Sequence, residues 1–206
     1  MDKLARFVSF LLHPLLMPLY ATVILFNTHN YLAYAINPSI QKLIYLVVFT
    51  TTYLLPSLTA MLLVQRGKIQ SLQMENSSER NLPFIITTVY YVACFYFLQK
   101  VPMVRILGYA ILGAALAIFI SFLINLKWKI SIHMVGIGGL MGLLYVFSQQ
   151  LHFNFLLPIS IVAILAGLLG TSRLQLNAHI PSQIYAGFIV GFGVEWGFLK
   201  CLQFFG

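Results

Sequence analysis

Apolar residues fall into seven runs along this chain, near residues 7–28, 41–65, 83–99, 105–125, 132–150, 154–171 and 180–203, with short polar stretches between them. Each run approaches the roughly 20 residues a helix needs to cross a bilayer. A spanning backbone must satisfy its own hydrogen bonds, so the pattern predicts a polytopic all-α transmembrane bundle of about six to seven spanning helices, with residues 1–206 as a single transmembrane domain. The third run is the shortest. Pro83 opens it, where a missing backbone N–H does no harm, and Tyr90, Tyr91, Phe95, Tyr96 and Phe97 suit an interface or a protein contact as well as lipid. A re-entrant pair over 83–125 is the alternative to two crossings, and it leaves the later parity unchanged.

Counting crossings from the N-terminus, on face A, puts Asn30 to Asn37 on the opposite face B and returns Arg66 to Leu82 to face A. The next out-and-back pair passes Lys100 to Arg105 and brings Lys127, Lys129, Ser131 and His133 to face A. Another pair passes His152 and returns Thr171 to His179 to the same face, leaving His29 and His152 on the other. Polar and ionisable residues that gather at one membrane surface mark a functional site by default.

Composition narrows the class further. Of 206 residues 60% are hydrophobic and only 8% charged, against roughly a quarter charged in a soluble domain. The first run carries His13, Pro14 and Pro18 and no small-residue cleavage site, so it is read as retained rather than as a signal peptide. Cys94 and Cys201 lie inside apolar runs without metal-ligand spacing. A net charge of +8 would suggest nucleic acid in a soluble protein, but the basic residues are scattered and form no stripe. The expected partners are therefore the lipid bilayer and an anionic lipid, with no nucleic acid; oligomeric state is left undefined.

Three polar stretches carry candidate chemistry. Lys68 to Pro83 holds Lys68 and Arg80, which read alone as a basic loop on lipid headgroups, with Glu79 placed to pair with either. Ser131-Ile132-His133 opens the fifth run just after Lys127-Trp128-Lys129, where a helix N-terminus, the Ser131 hydroxyl and nearby cations offer a place for phosphate. Gly136, Gly138 and Gly139 follow, and their purpose is read as close helix packing. The stretch from Ser172 to Gln183 is the most specific: Arg173 supplies a planar fork for phosphate oxygens, and His179 can attack phosphorus or move a proton. Gln183, at i+4 from His179, lies on the same helical face, so its oxygen can accept from Nδ1–H and leave Nε2 free.

The order Lys68 … Arg80-x-x-Pro83, then Ser131-x-His133, then Ser172-Arg173-x5-His179-x3-Gln183 resembles the type 2 phosphatidic acid phosphatase superfamily of integral membrane lipid phosphatases, over about residues 68–190. That family carries Lys-x6-Arg-Pro, Pro-Ser-Gly-His and Ser-Arg-x5-His-x3-Asp in this order. The resemblance implies that His179 is a nucleophile forming a phosphohistidine and that His133 protonates the leaving alkoxide. It also implies that Arg80, Arg173, Ser131 and Lys68 clamp the phosphate of a phosphorylated membrane lipid, without metal or other cofactor. Three departures stand beside it. Lys68 precedes Arg80 by twelve residues rather than seven, Ile130 and Ile132 replace the Pro and Gly of the second motif, and Gln183 replaces the Asp of the third. A glutamine can orient His179 but cannot balance an imidazolium by charge.

The expected function is hydrolysis of a lipid phosphate monoester or pyrophosphate, isoprenoid or glycerophospholipid. Non-catalytic phospholipid binding or translocation stays open, as does a small transporter that uses Arg173 and His179 as a relay. Face A carries Lys3, Arg6, Arg66, Lys68, Arg80, Lys127, Lys129 and Arg173, against Lys42, Lys100, Arg105 and Lys200 on face B. The positive-inside rule turns face A to the cytoplasm. The resemblance turns it outward, because bacterial members commonly work on the outer side of the inner (cytoplasmic) membrane.

Overall fold

The computed structural model describes residues 2–74, 76–151 and 154–205, and His152 lies outside them. The α-helices run in the order α1 (Asp2–Leu11), α2 (Met17–Asn27), α3 (Tyr31–Ala35), α4 (Pro38–Phe49), α5 (Leu55–Gln65), α6 (Asn81–Gln99), α7 (Arg105–Asn125), α8 (Ile132–Gln150), α9 (Leu156–Gln175) and α10 (Pro181–Phe205). Among the described residues there are seven helical stretches long and apolar enough to cross a membrane, and no strand. The chain is an all-α polytopic bundle. α6 and α7, of 19 and 21 residues, pack against each other and measure about 28 and 31 Å at 1.5 Å per residue. Both are long enough to cross, so no re-entrant pair is required.

The first apolar run is not one straight helix. Its chain leaves helical geometry at His13, which is extended (ψ 135) ahead of Pro14, and Pro18 opens α2 behind it. α1 is left as a separate amphipathic helix. It packs on α9 and turns Leu4, Phe7, Phe10 and Leu11 outward while Ala5 and Ser9 are buried. α4 and α5, by contrast, are joined through a widened helical turn at Thr50–Leu54, which absorbs Pro56 without ending the helix.

The most extensive contact between helices in the bundle is α8 against α10. Glycine permits it, because a Cβ on Gly142 would fall 2.7 Å from the Phe192 carbonyl oxygen and one on Gly187 would fall 2.6 Å from that of Ser131. Without a side chain at these positions the backbones touch. Gly136, on another face of α8, meets Pro14 and Met17 where the first run breaks. This packing brings the start of α8 against the start of α10, and the Ser131 N–H donates to the Gln183 carbonyl at 3.4 Å. Around it the buried side chains form one large cluster, running from Leu12 on the α1 side to Leu199 in α10.

Crossing parity has a direct check. Ser78 and Asn37 are both exposed and fall on opposite faces. In a background with Cys201, the exposed native thiol, replaced by Ser, Ser78→Cys and Asn37→Cys should label oppositely with a membrane-impermeant maleimide in intact spheroplasts. Equal labelling of the two would break the parity assignment.

Candidate functional site

Each polar stretch of face A is held by a local feature of the chain. α9 continues through Ser172 and Arg173 to Gln175, so Arg173 stands on its last helical turn rather than in the connection that follows. Asn177 then takes a left-handed conformation (φ 49), which asparagine tolerates better than most residues, and its N–H bonds Leu174 O at 2.9 Å. The Ala178 N–H returns to Arg173 O at 3.2 Å. This tight reversal sets His179 beside the end of α9, one residue before Ile180 and the N-terminal Pro181 of α10.

His179 is buried, and its Nδ1 lies 2.9 Å from Gln183 Oε1. The same oxygen accepts the Ile180 N–H at 3.4 Å, so the amide turns its oxygen, not its NH2, toward the ring. Nδ1 is then the protonated nitrogen, and Nε2 keeps its lone pair. Burial pushes the His179 pKa down to about 4; the Gln183 bond opposes this, while the charges of Arg80, Arg173 and Lys129 add to it. The imidazole is therefore neutral at neutral pH.

Arg80 closes a short turn at Ser77–Arg80 just ahead of α6. It is buried, and its guanidinium donates to Met74 O at 2.8 Å and to Ile130 O at 3.5 Å. Asn125, at the end of α7, donates to Ser77 O at 2.7 Å and to Asn81 Oδ1 at 3.1 Å and so pins that turn. Glu79 accepts from Asn76 at 3.2 Å and does not neutralise Arg80. Arg173 Nε is buried without a hydrogen-bond partner among the described residues. The His133 ring stands edge-on to that of His13, with centroids 5.6 Å apart, and the backbone of Ser9 lies against it.

Arg80, His133, Arg173 and His179 all line one cavity of about 1320 Å³, together with Lys129, Arg6 and His13. Two expected ligands stand elsewhere. Lys68 is exposed and off the lining, because the chain turns at Gly67 (φ 66) directly after α5 and carries the lysine to the surface. Ser131 is fully buried, and its hydroxyl has no hydrogen-bond partner among the described residues. It sits behind the lining, where its backbone, not its side chain, joins α8 to α10.

Sequence reasoning missed His13 and Glu195 on the lining. Nothing in the spacing ties His13 to residues more than a hundred positions away. A lone carboxylate inside an apolar run is itself a signal, and it would have found Glu195. Among the described residues no three His, Cys, Asp or Glu side chains gather as metal ligands.

Residues 125–206 match the family model of the PAP2 superfamily. The matched region contains the Ser131-x-His133 and Arg173-x5-His179 stretches, so the resemblance read from these residues and the family match agree. No curated protein and no solved structure matches the chain. With seven helices long and apolar enough to cross a bilayer, this is an integral membrane protein, and its residues 125–206 are similar to the PAP2 superfamily.

The pairing of His179 with Gln183 can be read by titration. Replacing the amide with a carboxylate in Gln183→Asp should lift the His179 pKa from about 4 by about 1–3 units, because a neighbouring negative charge favours the cation. Gln183→Leu should leave it at or below the wild-type value. Imidazole NMR of selectively labelled protein in micelles reports both, and an unchanged value in Gln183→Asp would separate the two side chains.

Proposed function

We propose that this chain is a membrane lipid phosphatase that hydrolyses a phosphate monoester or pyrophosphate of an isoprenoid or glycerophospholipid through a phosphohistidine. The observation that carries the reading is the convergence of Arg80, His133, Arg173 and His179, from three separate stretches, on one cavity, with His179 Nε2 left unprotonated by the Gln183 bond. The guanidinium groups of Arg80 and Arg173 take the phosphate oxygens, and Lys129 adds charge beside them. With the phosphate anion bound, His133 holds a proton; Nε2 of His179 attacks phosphorus, the phosphorus–oxygen bond to the lipid breaks, and His133 gives that proton to the departing oxygen. Water then attacks phosphorus and loses a proton to His133, the phosphorus–nitrogen bond to His179 Nε2 breaks, and inorganic phosphate leaves.

The bound substrate changes the electrostatics that the empty site sets up. A neutral His179 is a nucleophile, while three cations around it oppose a positive charge on the ring. A phosphate dianion offsets those cations, so the phosphohistidine forms with fixed charges already in place. Ser131 and Lys68, expected in the clamp, are left out of this reading by their burial and exposure respectively. The site lies at face A of what we take as the bacterial inner membrane. The outward orientation follows the family's habit rather than the charge count.

A second reading, binding or translocation of a phospholipid without hydrolysis, draws on one residue. Gln183 replaces the carboxylate that would stabilise an imidazolium through the reaction.

Phosphate release from a panel of lipid phosphates separates the two. His179→Ala should lose on the order of a thousandfold or more in rate, the scale expected when a covalent catalyst is removed from a unit, while eluting as folded protein and still binding lipid phosphate. Arg173→Lys should also be damaged, since an ammonium cannot reproduce the bidentate fork. A wild-type chain that binds but releases no phosphate would support the second reading.

A further inference from the structure

Glu195, on α10, lines the same cavity as the arginines and histidines. It is only 2% exposed, and neither carboxyl oxygen has a hydrogen-bond partner among the described residues. A Cβ built on Gly113 would fall 2.8 Å from one of those oxygens, so the carboxyl tip lies over the bare backbone of α7. Ala110, Ala114 and Ala117 of α7 keep the adjoining wall small. Glu195 stands twelve residues along α10 from Gln183, about 18 Å at the helical rise. The cavity thus has a cationic end at face A and a single acidic group far down its apolar arm.

No cationic side chain of the lining belongs to that arm: Arg6, Arg80, Lys129 and Arg173 all come from the face A stretches. An unpaired carboxylate there is strongly unfavourable. The neutral acid is not, provided its O–H and its carbonyl oxygen find partners, and it then acts as both donor and acceptor. An all-hydrocarbon tail would leave both unsatisfied. A tail carrying an oxygen at the right depth would not.

We propose that Glu195 is a second recognition point in this cavity, selecting lipid phosphates whose hydrocarbon part carries an uncharged hydrogen-bonding oxygen, hydroxyl or carbonyl, at the depth of Glu195, about 18 Å along α10 from Gln183. The inference rests on the reading of the cationic end as a lipid-phosphate site and adds the chemistry of the tail to it. Glu195 is a binding group in this role and takes no part in the proton transfers at phosphorus.

Three long-chain alkylphosphonates of equal length serve as probes, one plain, one with a keto group and one with a hydroxyl group at the matched depth. Phosphonates hold the headgroup without being hydrolysed. Their dissociation constants are measured on the full chain in nanodiscs, for wild type, Glu195→Gln and Glu195→Leu. Wild type should bind both oxygenated probes about five- to tenfold tighter than the plain one, the gain of one well-made hydrogen bond in a desolvated site. Glu195→Gln, of the same shape and still a donor and acceptor, should keep the preference. Glu195→Leu should lose it and hold the plain probe at least as well as wild type does.

Equal affinity of wild type for the three probes would overturn the proposal, and so would a preference that survives Glu195→Leu. Should Glu195→Leu fail to fold, Glu195→Met, unbranched and of similar length but with no strong donor or acceptor, makes the same comparison. Preference for the oxygenated probes in a chain that releases no phosphate from any lipid would sustain this inference while the hydrolytic reading fails. Loss of preference alongside normal phosphate release would do the reverse.

Discussion

Arginine does not shed its charge at any ordinary pH, so a guanidinium drawn into an apolar wall has to be met by acceptors. The face A end of this bundle is arranged around two of them. Arg80 is met in part by the carbonyls of Met74 and Ile130; Arg173 keeps one buried N–H with no acceptor among the described residues. The only carboxylate on the described lining is Glu195, far down α10. What would complete the arrangement is an anion with several oxygens, and a phosphate group has that form.

The rest of the fold can be followed back from that need. Glycines in α8 and α10 let the two backbones touch, and this sets His133 and His179 at one level. The left-handed Asn177 folds the end of α9 back on the start of α10, so that Arg173 and His179 face one cavity. Asn125 fixes the turn that carries Arg80. An imidazole buried among fixed cations, as His179 is, stays neutral until an anion arrives. Charge in the site is therefore coupled to binding, not to bulk pH alone.

Much of this was legible in the sequence because apolar runs count crossings and parity sorts the polar stretches between them. The spacing of Arg173, His179 and Gln183 also carried the helical register that puts the glutamine oxygen on the imidazole. What was not legible depends on side-chain direction and on chain reversal. Lys68 was placed by analogy of order, yet the turn at Gly67 points it away; its twelve-residue distance from Arg80 was the available warning. Ser131 has the right neighbours, but its hydroxyl is fully buried off the lining, without a hydrogen-bond partner among the described residues. His13 reaches the site only because the first apolar run breaks ahead of Pro14, and no periodicity announces such a break.

The covalent step at His179 is the centre of the account, and one measurement addresses it without reference to rates. Full-length protein in nanodiscs is mixed with a lipid phosphate radiolabelled at phosphorus and quenched in base, which preserves phosphohistidine, before the labelled peptide is mapped. The account predicts base-stable, acid-labile label on the peptide carrying His179 and none in His179→Ala. Release of labelled phosphate with no protein-bound label at any time during turnover would contradict it.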